Sequence, residues 1–514
     1  MATALTQLRE VLVEVANFDE AAELLTWDAE TYMPPGGVAG RSALLATLRR
    51  HSHDLFTGGR VLTLLDRAEN EVAGLAYESD DASLVRITRR DNDRKRRIPS
   101  DLVAAKAEAS GTAAAVWREA RERADFALFA PHLAANVEMS RRLADAIGYE
   151  DRPYDALLFR EPGISTAQLE AIFGELKASI VPLLRQIANR ADQVDAGCLH
   201  GDFAEEAQLR VSEQMAAGIG YQFANGRQDR SAHPFTCWMN PGDVRITTRV
   251  AADYLPMCLF GSLHEAGHAM YALGHAPELA GSPLWIGASP GFHESQSRLY
   301  ENLIGRSRPF WRRWFPELVK AFPEHFAGVD AEQWYRAVNQ VRPSLIRVEA
   351  DEVTYNLHIL LRFELECELL DGKLRVDEVP AAWNAKMEEY LGVEPTNAAL
   401  GPLQDIHWTF IGSLGSFPAY TLGNLIGAQL MERLRTDLPA LDAQLEEGDH
   451  EQLLGWLRHH VHIHGRKFTP AELLMRVTGR ELEARPWIEY VQAKFGELYG
   501  IRPPAEAERA GGST

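Results

Sequence analysis

The sequence predicts a mainly α-helical fold with one small β element next to a helix that carries two histidines. Apolar residues recur at three- and four-residue steps through most of the chain. A single strand–turn–strand pattern stands near the middle, and a His-Glu-x-x-His run follows it closely.

The 514 residues are 46% hydrophobic and 25% charged, values that suit a folded globular protein and set aside disordered, collagen-like and disulfide-scaffold classes. Lys and Arg number 53 against 73 Asp and Glu, a formal net charge of −20 that opposes adhesion to nucleic acid or an anionic membrane. The densest basic stretch, Arg86 to Arg97, is interleaved with aspartates and followed by Pro99-Ser100, as at the solvated end of one helix before the next. Cys198, Cys237, Cys258 and Cys367 form no CxxC pair and read as small buried hydrophobes in a reducing compartment. The stretch from Met1 to Leu12 has no signal-peptide apolar core, and no apolar run approaches the roughly 18 residues of a membrane span. The expected setting is the cytoplasm, with neither nucleic acid nor membrane as partner.

Helical periodicity runs through 4–26, 41–78 and 100–147. From Ser165 to Asn189, residues such as Leu169, Phe173, Leu176, Ile180, Leu184 and Ile187 make one apolar face, and Ser165 with Gln168 forms a capping box. After a further helical pattern over 204–219, Gly218-Ile-Gly220 is a loop without the strand, spacing or lysine of a phosphate cradle. His233–Met239 and Val244–Val250 are rich in β-branched and aromatic residues and flank Asn240-Pro-Gly-Asp243, so a β-hairpin is expected. Helical patterns resume at 345–369 and 421–447, and Thr469-Pro-Ala-Glu472 starts another helix. The histidines between His459 and His464 have no carboxylate or cysteine at ligand spacing, and Trp456, Leu457, Val461 and Ile463 suit the packed end of a helix. Without a linker or repeat, residues 1–502 are expected to form one catalytic domain and 503–514 a flexible tail.

The chemistry centres on His264-Glu265-x-x-His268. Residues four apart share a helix face, so both imidazoles reach one metal ion while Glu265 faces the water it activates. Leu259, Phe260, Leu263, Met270 and Tyr271 mark this helix as buried, where two imidazoles and a carboxylate are costly without a metal. The amphipathic segment Phe292–Ile304 supplies Glu294 as third ligand, with Glu301 the rival carboxylate two turns away. Tyr271 and Gly274 occupy the positions where a metzincin needs glycine and histidine, and His275, one residue out of register, is assigned to a loop. Two histidines and a carboxylate leave one coordination position open, the catalytic arrangement for zinc. The expected reaction is metal-assisted hydrolysis of a peptide bond with Glu265 as general base, the hairpin edge aligning an extended peptide.

Six motifs occur in order: His233-Pro-Phe235, Asp243-Val-Arg-Ile-Thr247, His264-Glu-Ala-Gly-His268, His293-Glu-Ser-Gln296, Ile346-Arg-Val-Glu-Ala-Asp351 and Gly401-Pro-Leu-Gln-Asp-Ile-His-Trp408. With Trp27–Gly37 before them and Phe417–Asn424 after, the chain resembles the carboxypeptidase Taq (M32) metallocarboxypeptidases over nearly its whole length. The resemblance implies release of C-terminal amino acids from peptides with broad specificity. It also implies a helical zincin-like fold with a small sheet beside the metal, one Zn2+ or Co2+ ion per chain, a buried groove and a homodimer.

A carboxypeptidase must recognise the substrate's terminal carboxylate, which a guanidinium does bidentately. Arg347 is the first candidate and Arg245 the second; the alternative makes them structural partners of Asp351 and Asp243. His233, His407 and Tyr420 are candidates for hydrogen bonds to the oxyanion or the scissile amide, with Gln404-Asp405 orienting His407. His293 is placed with the residues that position the ligands, and Trp408 and Phe417 with the core or groove walls. Two other functions stay open: a metallopeptidase cutting inside short peptides, and a noncatalytic metal- or peptide-binding scaffold. The negative charge favours uncharged or basic peptides as substrates.

Overall fold

The computed structural model describes residues 2–410 and 414–501, and the expected tail 503–514 lies outside the described residues. The chain forms two compact units: one built from the chain up to Arg96, Ala196–Val338 and Leu430–Glu481, the other from Arg97–Asp195, Asn339–Gln429 and the chain from Leu482.

In the first unit, the helix Ala4–Thr31 starts at Thr3, whose hydroxyl accepts from the Thr6 N–H at 3.1 Å, and it buries Leu8, Val11, Leu12 and Val15. The pattern through 41–78 becomes two helices, Val38–Thr57 and Gly59–Val72, because Gly58 turns extended with ψ 155°. The basic stretch ends the helix Asp80–Arg97, where Asp91 is paired with Arg466.

The hairpin forms as expected and is shorter at its ends: β2 (Thr236–Asn240) pairs antiparallel with β3 (Asp243–Thr248). A strand not foreseen, β1 (Gln228–Arg230), lies parallel to β3, giving the order β1-β3-β2. Its three residues are all polar, so no alternation announced it. Along β2, Cys237 and Met239 are buried in a cluster with Trp27 that Phe235 also joins, while Thr236 and Trp238 point to the opposite face.

Toward the end of this unit, the helix Glu451–His460 stops and His462–His464 make one tight turn. Buried His462 has Nε2 3.0 Å from Gln296 Oε1, so packing accounts for this part of the histidine run. Thr469 and Glu472 form the capping box of the helix Pro470–Thr478.

In the second unit, the pattern through 100–147 splits into Ser100–Arg123 and Phe126–Ile147. Ala124 adopts a left-handed φ of 53°, and the Asp125 side chain caps the next helix by accepting from Ala127 N–H at 3.0 Å. The expected capping box of the helix Thr166–Ala188 is present: Ser165 N donates to Gln168 Oε1 at 2.9 Å and Gln168 N to Ser165 Oγ at 3.3 Å. The pattern through 345–369 becomes a short turn, Arg347–Glu349, and a helix, Tyr355–Leu370. Asp351 causes the delay, because its carboxylate takes the N–H groups of Val353 and Thr354 at 2.9 and 3.0 Å. All four cysteines are free, and no described helix is long and apolar enough to cross a membrane.

Candidate metal and catalytic site

His264 and His268 stand on the helix Pro256–Leu273, which starts with proline in its first turn and is buried on nearly all sides. Glu294 comes from the helix Pro290–Arg298, started by the Ser289 hydroxyl accepting from Phe292 N–H at 3.1 Å. Glu294 Oε2 lies 3.8 Å from His264 Nε2 and 3.5 Å from His268 Nε2, and one donor atom from each residue falls within 4.8 Å of the others. Ligands about 2.1 Å from a tetrahedral ion stand about 3.4 Å apart, so the three donors fit a zinc-sized ion.

The charge state fits as well. Burial alone would raise the Glu294 pKa, but the Arg298 guanidinium and His264 outweigh it and hold the carboxyl well below the usual carboxylate range. Arg298 Nε donates to Glu294 Oε1 at 2.7 Å, which leaves Oε2 for the ion.

Gly267, inside the His-Glu-x-x-His run, lets the two helices approach. A Cβ there would stand 2.6 Å from the Gln296 carbonyl oxygen and 2.7 Å from Ser297 Cα. In an open helix interior, alanine improves on glycine by about 0.5–1 kcal/mol. Here the backbone contact reverses the sign, so Gly267→Ala is expected to cost about 1–3 kcal/mol of stability. Pushing Glu294 away should also loosen the His264, His268 and Glu294 donor set, and thermal unfolding with a competitive zinc titration checks both.

Each histidine is held through its other nitrogen. After Arg298 the helix widens into a π turn, Leu299–Ile304, which brings Glu301 to His264: Glu301 Oε2 is 2.8 Å from His264 Nδ1 and accepts from Arg298 Nη1 at 3.0 Å. Burial would raise the Glu301 pKa, yet Arg298 and His264 bring it down to about 2. The carboxylate keeps the proton on His264 Nδ1 and frees Nε2 for metal, the arrangement that orients metal-binding histidines. Glu301, the rival ligand by sequence, thus faces the nitrogen of His264 that points away from the Glu294 contact. His268 Nδ1 lies 3.1 Å from His293 Nδ1. The His293 ring stacks on Trp238 at 4.7 Å and 14° and meets Tyr271 at 4.9 Å. Burial and the neighbouring His268 press the His293 pKa well below the usual histidine value. Gly287, at φ +30°, makes room for this stack, since a Cβ there would stand 2.6 Å from Tyr271 Cε1 and 3.0 Å from His293 Cδ2.

Glu265 is buried, and its Oε2 accepts from the Thr236 hydroxyl at 2.7 Å. On the same sheet, Arg245 is engaged by Asp243 through Nε at 2.8 Å and Nη2 at 2.7 Å and lies over the Trp27 ring at 4.3 Å. His233 is exposed at the entrance to β2. His275 follows the helix Pro256–Leu273 and is buried, which drives its pKa down to about 3.

The remaining sequence candidates belong to the second unit. Arg347 donates from Nη2 and Nε to Asp405 Oδ1 at 2.7 and 3.1 Å, and from Nη1 to the Tyr355 hydroxyl at 3.1 Å. Asp405 also accepts from fully buried Arg362 Nε at 2.6 Å. The carboxylate facing Arg347 is therefore Asp405 and not Asp351, which is spent on backbone N–H groups. Gln404 holds the Arg347 turn, its Oε1 accepting from Arg347 N at 2.9 Å, and so serves that arginine and not His407. His407 Nδ1 is 3.8 Å from Asp405 Oδ1, and its Nε2 lies 3.2 Å from the Tyr420 hydroxyl. Trp408 and Phe417 are buried.

Sequence reasoning missed Thr236, Arg298 and Arg362. Arg298 had a signal, since it follows Glu294 at i+4 and precedes Glu301 at i+3. Thr236 and Arg362 meet their partners across 29 and 43 residues, beyond any local pattern.

Residues 7–495 match the carboxypeptidase Taq (M32) metallopeptidase family. Thermostable carboxypeptidase 1 of Thermus thermophilus is 39% identical over 507 residues, covering 97% of this chain and 99% of the relative. Carboxypeptidase 1 of Bacillus subtilis is 36% identical over 491 residues, covering 95% of this chain and 97% of the relative. The crystal structure of an M32 carboxypeptidase from Deinococcus radiodurans superposes with a TM-score of 0.94 at 40% identity, covering 97% of this chain and all of that one. The chain belongs to the carboxypeptidase Taq (M32) family of metallopeptidases.

Proposed function

We propose that this metallocarboxypeptidase binds one zinc ion, or cobalt in its place, through His264, His268 and Glu294, and removes single residues from peptide C-termini with Glu265 as general base. The observation that carries it is the convergence of those three donors beside a buried glutamate that is not one of them. The bound metal supplies Lewis acidity to polarise the scissile carbonyl. Glu265 takes the proton of the attacking water and returns it to the departing amine nitrogen. Release of a free amino acid and a shortened peptide completes the turnover.

Charge balance supports Arg347 over Arg245 as the anchor for the terminal carboxylate. Arg245 is matched one to one by Asp243, whereas Arg347 has to share the carboxylate of Asp405 with Arg362 and is the less fully neutralised of the two candidates. A buried charge only partly neutralised is costly until an anion answers it, and the substrate carboxylate is that anion. His233, His407 and Tyr420 are assigned hydrogen bonds to the substrate or oxyanion. The active form is a homodimer acting in the cytoplasm, with broad side-chain tolerance.

Amidating the peptide C-terminus tests the direction of cleavage: turnover should be lost, and unchanged internal cleavage of the amide would instead mark an endopeptidase. Arg347→Ala should raise KM for free-carboxylate peptides about 30-fold or more, from the ~2–5 kcal/mol of a buried charge pair. Arg245→Ala should leave KM near wild type. The reverse order in steady-state kinetics would move the anchor to Arg245.

A further inference from the structure

We propose that β2 braces the catalytic centre from one face: Thr236 is the positioning residue for Glu265, and Trp238, acting through His293, is the positioning residue for the ligand His268. The role of Thr236 rests on the general-base reading of Glu265, whereas that of Trp238 rests on metal binding alone.

Thr236 and Trp238 are two residues apart on one strand, so they share a face. The other face is fixed by Cys237 and Met239, buried with Trp27, and the ladder opposite is set by Thr236↔Ile246 and Trp238↔Val244. A one-residue slip would turn both bracing side chains into that apolar cluster. Strand register and site geometry are therefore one specification.

Thr236 Oγ1 lies 2.7 Å from Glu265 Oε2 and 2.9 Å from the Glu265 carbonyl oxygen. Both partners are acceptors, so the hydroxyl's one proton is committed to this residue. The Thr236 hydroxyl stands one bond from Cβ on a strand held in register, whereas glutamate has three side-chain torsions. The bond transfers the stiffness of the strand to the carboxylate and holds it in one place.

Trp238 acts on the ligand. His268 Nε2 faces Glu294 Oε2 at 3.5 Å and presents its lone pair to a metal, so the His268 proton resides on Nδ1. That N–H donates to His293 Nδ1 at 3.1 Å, which assigns the His293 proton to its Nε2. His293 serves His268 only while its ring plane is kept, and the near-parallel Trp238 ring at 4.7 Å and 14° keeps it.

The test uses the full-length enzyme, with competitive zinc titration, steady-state kinetics on a short peptide and thermal unfolding for each variant. Thr236→Val should lower kcat about 10–100-fold with KM and zinc affinity unchanged, and Thr236→Ser should recover most of it. Trp238→Leu should lower zinc affinity about 10–100-fold, and Trp238→Phe, which keeps an aromatic face, should restore it. Wild-type kcat in Thr236→Val, or wild-type zinc affinity in Trp238→Leu, overturns the corresponding half. Equal losses in the serine and valine variants, or in the phenylalanine and leucine variants, would mean general disruption and overturn positioning. A fully active Glu265→Gln enzyme would defeat the general-base reading instead, and the zinc affinity of Trp238→Leu would still decide the ligand half.

Discussion

Glu265→Gln is expected to lose about 10²–10⁴-fold in kcat while zinc content and fold are kept. Glutamine has the shape of glutamate, and its amide oxygen can still accept from the Thr236 hydroxyl that now lies 2.7 Å from Oε2. It cannot accept the water proton. The proposed ligands His264, His268 and Glu294 are untouched, so a zinc titration should overlay that of the wild type. If kcat survived the substitution with zinc bound, Glu265 would have no part in proton transfer.

Asp405→Asn is expected to destabilise the second unit strongly, by about 3–5 kcal/mol. Among the described residues Asp405 is the one carboxylate paired with both Arg347 and Arg362, and both guanidinia are buried. Burial presses Arg362 down to about 10 even with Asp405 beside it, so an amide there would leave two buried cations facing each other. Arg347→Ala, by contrast, leaves Arg362 and Asp405 matched one to one and should fold. The same balance sets an acid response. Burial opposes ionisation of Asp405, but the two arginines overcome it and hold its pKa below the usual aspartate range. An acid depressed in the folded state contributes stability above its unfolded pKa of ~4, and loses it as pH falls further. Wild type should therefore lose stability below about pH 4 through this group, whereas Asp405→Asn should be weakened at all pH values and lack that component. Urea unfolding from pH 3 to 7 would show it, and a variant as stable as wild type at pH 7 would mean that the arginines need no counter-charge.

The candidate metal set was legible because helix geometry is local. Four-residue spacing places His264 and His268 together, and an amphipathic segment nearby limits the carboxylates to Glu294 and Glu301. The sequence already favoured Glu294; it could not show the π turn after Arg298, which brings Glu301 to His264 Nδ1 and which periodicity does not announce. The hairpin was legible from β-branched residues around Asn-Pro-Gly-Asp, while β1, three polar residues fastened to β3, had no pattern to show. Helix breaks were missed for two reasons: the pattern read through 41–78 passed over Gly58, a breaker the sequence does carry, whereas Ala124 is left-handed without a glycine to mark it. Long-range pairings were the least accessible. The Arg347–Asp405 pair spans 58 residues, and the nearer Asp351 was the natural guess until its oxygens were found on backbone N–H groups. Gly267 reads as an ordinary glycine until the second helix is in place against it.

The central claim, metal-dependent release of single residues from the C-terminus, is tested most directly by mass spectrometry of one peptide digested with and without a chelator. The expected result is a ladder shortened stepwise from the C-terminus, abolished by the chelator and restored by added zinc or cobalt. Internal fragments, or a ladder that persists after the metal is stripped, would contradict it.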